Sequence, residues 1–254
     1  MPEVFATMAG GLTARFDTAR DIRAHALHFG AHIPAFAFTG AIADKADIDL
    51  GDVTLPDAYH LLYGHVRKAL LARDNYPVHA ACVGHEAGYA LLVGHSGSGK
   101  TTLTEKLLAQ GYKLYSGNKT VMRKQGSGLQ AIAGTRTMTA LDATFNRQAY
   151  LLPDAAYAPT PTVPIKNIFI VRVNDGVAED QRLEPLSALH TLYPYFMDAV
   201  NADVIVDGKT VFDGHVDMGV KSRLVETLGR ALETIPVRKI SGSIAYMAQR
   251  VIAP

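Results

Sequence analysis

The chain has 254 residues, of which 48% are hydrophobic, so it is long enough to bury a core as one large domain or as a main domain with a smaller one. Its 25 Lys and Arg residues against 24 Asp and Glu residues give a formal charge of +1, and the basic residues form no runs. This charge pattern does not indicate a nucleic-acid-binding protein.

The single cysteine, Cys82, excludes a disulfide within the chain and favours a reducing compartment. The first residues lack the basic flank and apolar run of a signal peptide, and no window has the roughly 18 unbroken apolar residues of a membrane helix. We therefore expect a cytoplasmic protein without a membrane partner.

The first 75 residues predict a small strand-and-helix region. Short, partly alternating apolar runs at residues 33–38 and 46–53 favour strands. Across residues 59–71, apolar residues recur at spacings of three and four, as in an amphipathic helix ending near residues 73–75. We expect this region to be followed by a nucleotide-binding domain over residues 76–254.

The second region predicts an α/β domain with a mixed or largely parallel sheet. Its order is two strands at residues 78–84 and 88–94, a glycine-rich loop, a helix of about three turns and a strand at residues 112–117. Farther on, the pattern predicts a strand, a helix, a hairpin and a long helix, at residues 167–173, 186–200, 204–212 and 218–234. The proline-rich residues 153–164 predict an exposed loop.

The glycine-rich segment matches the pattern G-x-x-x-x-G-K-[ST] at every fixed position. Glycines allow backbone N–H groups to turn around anionic oxygens, and the following helix presents its positive end. In this pattern the lysine reaches the β- and γ-phosphates, and the hydroxyl that follows it binds Mg²⁺. We therefore expect ATP with Mg²⁺ to be bound by Gly94, His95, Ser96, Gly97, Ser98, Gly99, Lys100, Thr101 and Thr102, with Thr101 as a metal ligand.

Three segments in order resemble the C-terminal domain of the HPr kinase/phosphorylase family, a P-loop group related to ATP-dependent phosphoenolpyruvate carboxykinase. They are VHAA at residues 78–81, GHSGSGKTT at residues 94–102 and LLAQGYKL at residues 107–114. The resemblance implies an α/β fold of the HPr kinase type and phosphoryl transfer from ATP to a hydroxyl. It also implies a homo-oligomer, since members of that family assemble into rings.

The chain departs from that family after the third segment. Where the family has two adjacent aspartates, this sequence has Gly117 and Asn118. In the family those carboxylates contact Mg²⁺ and accept the proton of the acceptor hydroxyl. Asn118 still offers an amide oxygen to Mg²⁺, directly or through water, although a neutral oxygen attracts a hard cation less than a carboxylate does.

Several residues are candidates for the missing roles. His79 is a candidate base or phosphate contact, or else a hydrogen-bonded strand histidine. Asp142 is a second candidate base, although its position also suits a helix cap. Arg136 and Lys119 are candidate cations for the transferred phosphoryl group, with solvated loop residues as the alternative.

Other polar residues carry two interpretations each. Asp207 and Asp213 fit a magnesium-binding acid after a strand, but the hairpin-turn signature around them favours a structural role. His215 has no third ligand at an obvious spacing. His25, His28 and His32 have helical spacing for zinc, but the glycine and proline among them favour exposed polar positions.

The sequence predicts an ATP-dependent kinase with catalytic residues Lys100, His79, Asn118 and Arg136. The expected acceptor is a hydroxyl of a small molecule or of a peptide serine or threonine. HPr itself is not the expected acceptor, because the chain lacks the family's arginine-glycine-leucine-glycine signature. Two alternatives stay open: a nucleotide-binding module that has lost catalysis, and a transferase or ligase for an anionic acceptor, which needs no general base.

Overall fold

The computed structural model describes most of the second region and short parts of the first. The described residues are 4–8, 12–16, 48–49, 70–135, 138–141, 147–174, 176–197, 204–206, 209–212 and 215–252. Strands β1 (Val4–Met8) and β2 (Leu12–Phe16) are antiparallel, and β2 pairs in parallel with β3 (Ile48–Asp49). The strand predicted at residues 33–38 and most of the helix predicted at 59–71 lie outside the described residues, and the boundary at residue 75 stays a prediction.

The central elements follow in chain order. The first group comprises β4 (Asn75–Val78), β5 (Ala80–His85), β6 (Gly88–Val93), α1 (Lys100–Leu108) and β7 (Lys113–Ser116). The second comprises β8 (Thr120–Gln125), β9 (Gly128–Gly134), β10 (Met138–Leu141), β11 (Arg147–Tyr150) and β12 (Val163–Val173). The third comprises β13 (Glu179–Leu183), α2 (Pro185–Met197), β14 (Val204–Val206), β15 (Lys209–Phe212), α3 (Met218–Leu232), β16 (Val237–Gly242) and α4 (Ile244–Ile252).

Within the described part of the chain, nine strands form one mixed sheet. Its main path is β4-β8-β9-β12-β6-β5-β7, and β16 pairs with both β12 and β13. The start of β12 is antiparallel to β9, whereas its later residues run parallel to β6 and β16. The protein is therefore a mixed α/β protein, and most of its strand pairs are antiparallel.

Side chains alternate across this sheet because successive residues of a strand point to opposite faces. On β6, Leu91 and Val93 join the core beneath α2 and α3, whereas Ala90 and Leu92 join the core beneath α1 and α4. The strands read as continuous apolar runs because helices cover both faces. The result is three layers, with α1 and the glycine-rich loop on one side of the sheet.

The structure differs from the sequence prediction at several places. The strand predicted at residues 78–84 is interrupted at His79, between β4 and β5. Helix α4 was not predicted, and neither were strands β1, β2, β8, β9, β10, β11, β13 and β16. Strand β7 pairs with β5, which lies between β7 and β6.

Other elements agree with the prediction. Strand β6, helix α1, helix α2, the β14–β15 hairpin and helix α3 all occur where the sequence patterns indicate them. Residues 153–162 form a loop with a short 3₁₀ turn at Asp154–Ala156. Among the described helices, none combines the length and apolar character needed to cross a membrane.

Candidate functional site

Sheet topology brings three polar segments to one edge of the sheet. Strand β6 ends at Val93, and its antiparallel neighbour β5 begins opposite it at Ala80, so His79 lies at the edge where the glycine-rich loop begins. Strand β7 is antiparallel to β5 and places Ser116 opposite Cys82. The residues that follow it, including Asn118, therefore reach the same edge.

The glycine-rich loop uses backbone conformations that favour glycine. Gly97 has φ of +81° and Gly99 has φ of +91°. A Cβ at residue 97 would meet nothing within 4 Å, whereas one at residue 99 would lie 2.0 Å from Val173 Cγ2. Gly97 therefore leaves one side of the loop open, and Gly99 allows the loop to pass closely over the end of β12.

The loop is held by the strands on which it rests. The Ser98 N–H donates to the His95 carbonyl at 3.1 Å, and the Val173 N–H donates to the Ser98 carbonyl at 3.0 Å. The Ser98 Oγ is buried and has no hydrogen-bond partner among the described residues. A buried hydroxyl without a partner is unfavourable, so it is a candidate contact for a ligand oxygen.

Helix α1 begins without a side-chain cap. Gly99 occupies the N-cap position and provides no side-chain hydrogen bond, and the first turn has no acidic residue. The first N–H groups of a helix have no acceptor within the helix, and the helix dipole makes this end positive. The backbone at Lys100, Thr101 and Thr102 therefore suits the oxygens of an anion.

Lys100 is buried in the loop, with only 6% of its surface exposed. Its Nζ donates to the carbonyl of Gly94 at 2.6 Å and to that of His95 at 2.9 Å. These bonds hold the ammonium group at the base of the loop. Lys100 therefore contributes to folding as well, because hydrogen bonds from charged groups stabilise by about 1.5–3 kcal/mol each.

His79 and Asn118 are joined by a hydrogen bond of 2.9 Å between Nε2 and Oδ1. With the amide oxygen as the acceptor, Nε2 carries the proton, and in the neutral ring Nδ1 is the basic atom. The bond orients the imidazole at the edge of the sheet. His79 is half-buried, and this hydrogen bond holds its ring in one orientation.

Two threonines and a glycine, which the sequence patterns did not single out, hold this pair together. Thr120 Oγ1 donates to the Ala80 carbonyl at 2.9 Å, next to His79. Thr135 accepts from the Gly117 N–H at 2.8 Å and donates its own N–H to the Lys119 carbonyl at 2.9 Å. Gly134 allows this approach, since a Cβ there would lie 2.3 Å from Ser116 Cβ.

Tyr195 is a further residue at the loop that sequence reasoning missed. Its ring centroid lies 4.9 Å from that of His95, with the rings inclined at 41°. Helix α2 supplies it from the opposite face of the sheet. The periodicity of α2 did not indicate that Tyr195 contacts the loop, because a half-buried tyrosine on a helix is typical of core packing.

Some candidate residues lie outside the described part of the chain. Arg136, Asp142, Asp207 and Asp213 are among them, as are His25, His28 and His32. His215 is described and exposed, just before α3. Among the described residues, no group of three or more His, Cys, Asp or Glu side chains could hold a metal ion.

The donors at this edge fit the phosphates of a nucleotide better than they fit a metal ion alone. An uncapped helix, a buried lysine and two glycines of positive φ suit anionic oxygens. For Mg²⁺ the expected donors are the Thr101 hydroxyl and the Asn118 amide, which are both neutral. Since Mg²⁺ prefers charged oxygens, the phosphate oxygens would have to supply most of the negative charge around it.

No protein-family model matches the sequence, and no curated protein matches it. Among solved structures, an HPr(Ser) kinase/phosphatase from Coxiella burnetii is similar over 70% of this chain and 91% of that chain, with 14% identity and a TM-score of 0.35.

Proposed function

We propose that the protein is an ATP-dependent phosphotransferase that moves the γ-phosphoryl group to a hydroxyl acceptor. The observation that carries the proposal is the hydrogen-bonded His79–Asn118 pair at the sheet edge where the glycine-rich loop begins. A phosphate-binding loop and an oriented base are the two parts that hydroxyl phosphorylation needs from a protein. In this proposal the glycine-rich loop and His79 provide these two parts without the aspartate pair.

In this proposal the loop and the start of α1 bind the triphosphate. The N–H groups at the start of α1 would donate to anionic oxygens, and the Lys100 ammonium would neutralise charge on the β- and γ-phosphates. Bound Mg²⁺ would supply further charge neutralisation, with Thr101 and the second lone pair of the Asn118 oxygen as its protein ligands. Arg136 stays a proposed cation for the same phosphates.

His79 is the proposed base. Asn118 accepts the Nε2 proton, so that Nδ1 is the atom that takes the proton of the acceptor hydroxyl as the oxygen attacks phosphorus. The proton leaves the hydroxyl for Nδ1, the new oxygen–phosphorus bond forms, and ADP departs. Asn118 acts as a positioning residue for this step.

A groove along β7 is the proposed acceptor site. It has a volume of about 600 Å³ and is lined by residues 113–115, Gly134, residues 154–155 and residues 157–161. At its Gly134 wall it adjoins the turn that contains Asn118, since a Cβ at 134 would lie 2.8 Å from the Lys119 carbonyl oxygen. Its size suits a small molecule or a few residues of a peptide.

The proposal is tested with ATP labelled at the γ-phosphate, Mg²⁺ and fractionated cell extract as the source of acceptors. The wild-type protein should transfer the label, and Lys100→Ala should lower ATP affinity by about 10- to 100-fold, as the loss of charge-assisted hydrogen bonds implies. Lys106→Ala, which removes an exposed lysine of the same helix, is the matched control. Unchanged ATP affinity in Lys100→Ala would contradict the proposal that the glycine-rich loop binds the nucleotide phosphates.

A nucleotide-binding module without catalysis is the second candidate. The neutral residues Gly117 and Asn118 at the family's aspartate positions favour it. ATP binding that depends on Lys100, together with no transfer or release of label under any condition, would establish this alternative and exclude the kinase.

A further inference from the structure

A second cavity lies at the start of β4, which is the end of that strand farther from His79 and the glycine-rich loop. It has a volume of about 340 Å³ and lies between the start of β4, the end of β8 and α3. Strand β4 begins here, pairing Asn75 with Arg123, and ends at Val78, directly before His79. The cavity and the candidate site are therefore separated by the length of β4, about 10–14 Å.

The cavity concentrates positive charge. Its lining has two acidic side chains, Asp74 and Glu226, and five cationic ones: Arg73, Arg123, Lys124, Arg223 and Arg230. The whole chain has a formal charge of only +1. Like charges gathered in one concavity repel each other, and this arrangement is favourable when an anion occupies it.

Two of the arginines are anchored by the inner nitrogen of the guanidinium group. Arg123 Nε donates to Asn75 Oδ1 at 2.8 Å, and Arg223 Nε donates to Asp74 Oδ1 at 2.8 Å. This use of Nε fixes each side chain and leaves the terminal nitrogens for another partner. The terminal pair is the part of a guanidinium that forms paired hydrogen bonds with a carboxylate or phosphate.

The floor of the cavity is also polar. The buried Tyr76 places its hydroxyl 3.1 Å from Thr227 Oγ1, and both residues line the cavity. Burial raises the pKa of Tyr76, so its phenol stays neutral and able to donate a hydrogen bond. The site thus combines cations at the rim with neutral hydroxyls at the base.

We propose that this cavity is a binding site for a small anion that has two or more phosphate or carboxylate groups. Two anchored arginines offer paired hydrogen bonds. Arg230 is paired with Glu226, so Arg73 and Lys124 are the cations that balance further charge. The volume lies at the lower end of the range for small-molecule sites, which suits a compact ligand. The site is distinct from the glycine-rich loop and does not depend on the proposed kinase activity.

The test uses calorimetric titration of the whole protein with two probes, inorganic pyrophosphate and citrate. At least one probe should bind, and the double variant Arg123→Gln with Arg223→Gln should weaken its affinity at least tenfold. Arg182→Gln, an exposed arginine of β13, is the matched control and should bind like the wild type. Lys100→Ala should retain this binding, because the glycine-rich loop is a separate site.

The probes distinguish the sources of the anion. Because the glycine-rich loop is itself a proposed phosphate site, only binding that the double variant weakens and Lys100→Ala retains is assigned to the cavity. Such binding of pyrophosphate alone indicates a phosphorylated ligand, and such binding of citrate alone indicates a polycarboxylate. Absence of binding by both probes, or equal losses in the Arg182→Gln control, would overturn the proposal. If the double variant does not fold in thermal unfolding, Lys124→Gln, which removes an exposed lining cation, should still weaken binding about threefold, and an unchanged affinity would also overturn it.

Discussion

A single hydrogen bond joins His79 to Asn118, two residues separated by 39 positions in the sequence. If the bond orients the imidazole for catalysis, the two side chains act as one unit. Removing His79 then removes the benefit that Asn118 gives by orienting it. Effects of residues that act together are not additive, and a double-mutant cycle measures this directly.

We therefore expect His79→Ala to reduce turnover by about 100-fold or more, as loss of a general base does. Asn118→Ala should reduce it by about 5- to 10-fold, since one neutral hydrogen bond contributes about 1 kcal/mol. At saturating Mg²⁺, the double variant should be no slower than His79→Ala. The measurement is the rate of label transfer from ATP.

The dependence of activity on Mg²⁺ concentration separates the two roles proposed for Asn118, as a ligand of Mg²⁺ and as the residue that positions His79. Raising Mg²⁺ should restore only part of the activity of Asn118→Ala, because added metal does not restore the orientation of His79. Complete rescue would make Asn118 a metal ligand alone. Losses that multiply in the double variant would show that the two residues act independently.

At the scale of elements, local signals predicted the loop and its flanks. The run from Gly94 to Thr101 is contiguous, so its strand, turn and helix can be predicted from neighbouring residues. Residues that depend on distant pairing could not be found in this way. Thr120 and Thr135 contact the His79–Asn118 region only because β8 pairs with β4 and β9, and no spacing in the sequence reports that pairing.

The interruption at His79 has the same origin. The stretch from Val78 to Gly84 has the composition of one strand, but β4 pairs with β8 whereas β5 pairs with β6 and β7. The strands that pair with the chain change at His79, and this change places its half-buried side chain at the edge of the sheet. Composition cannot indicate a change of partner, because each half is a good strand.

The two positive-φ glycines of the loop provide a prediction about this element. Gly97→Ala should destabilise the protein by about 1–2 kcal/mol, since it adds only the strain of a left-handed backbone. Gly99→Ala adds the same strain and a Cβ only 2.0 Å from Val173 Cγ2. It should therefore be clearly more destabilising than Gly97→Ala. Urea unfolding of the two variants gives the comparison, and equal losses would contradict the packing described for the loop and β12.

At the scale of the whole molecule, Cys82 lies on β5 within the hydrophobic core and has no exposed surface. Burial raises the pKa of its thiol, so the reactive thiolate is disfavoured in the folded protein. We expect a thiol reagent at pH 8 to label the native protein at least 100-fold more slowly than the protein in denaturant. Rapid labelling of the native protein would contradict the burial of β5.

The same shift predicts the pH dependence of stability. Above about pH 8.5, the unfolded thiol ionises whereas the buried one does not, so the unfolded state binds fewer protons and stability falls as pH rises. The contribution of Cys82 is complete below that pH. Cys82→Ala should flatten the decline between about pH 8.5 and 9.5, as measured by denaturant unfolding.

Strand β12 has a consequence for the order of folding. It lies between β6 and β16, and its Val173 N–H holds the Ser98 carbonyl of the glycine-rich loop. The loop and this strand are separated by a long stretch of sequence, and parallel pairings between distant segments form slowly. A nascent chain that ends before β12 would contain every residue of the motif but would lack the Val173 N–H that holds the Ser98 carbonyl. Nucleotide affinity during synthesis should therefore arise only after β12 has been added.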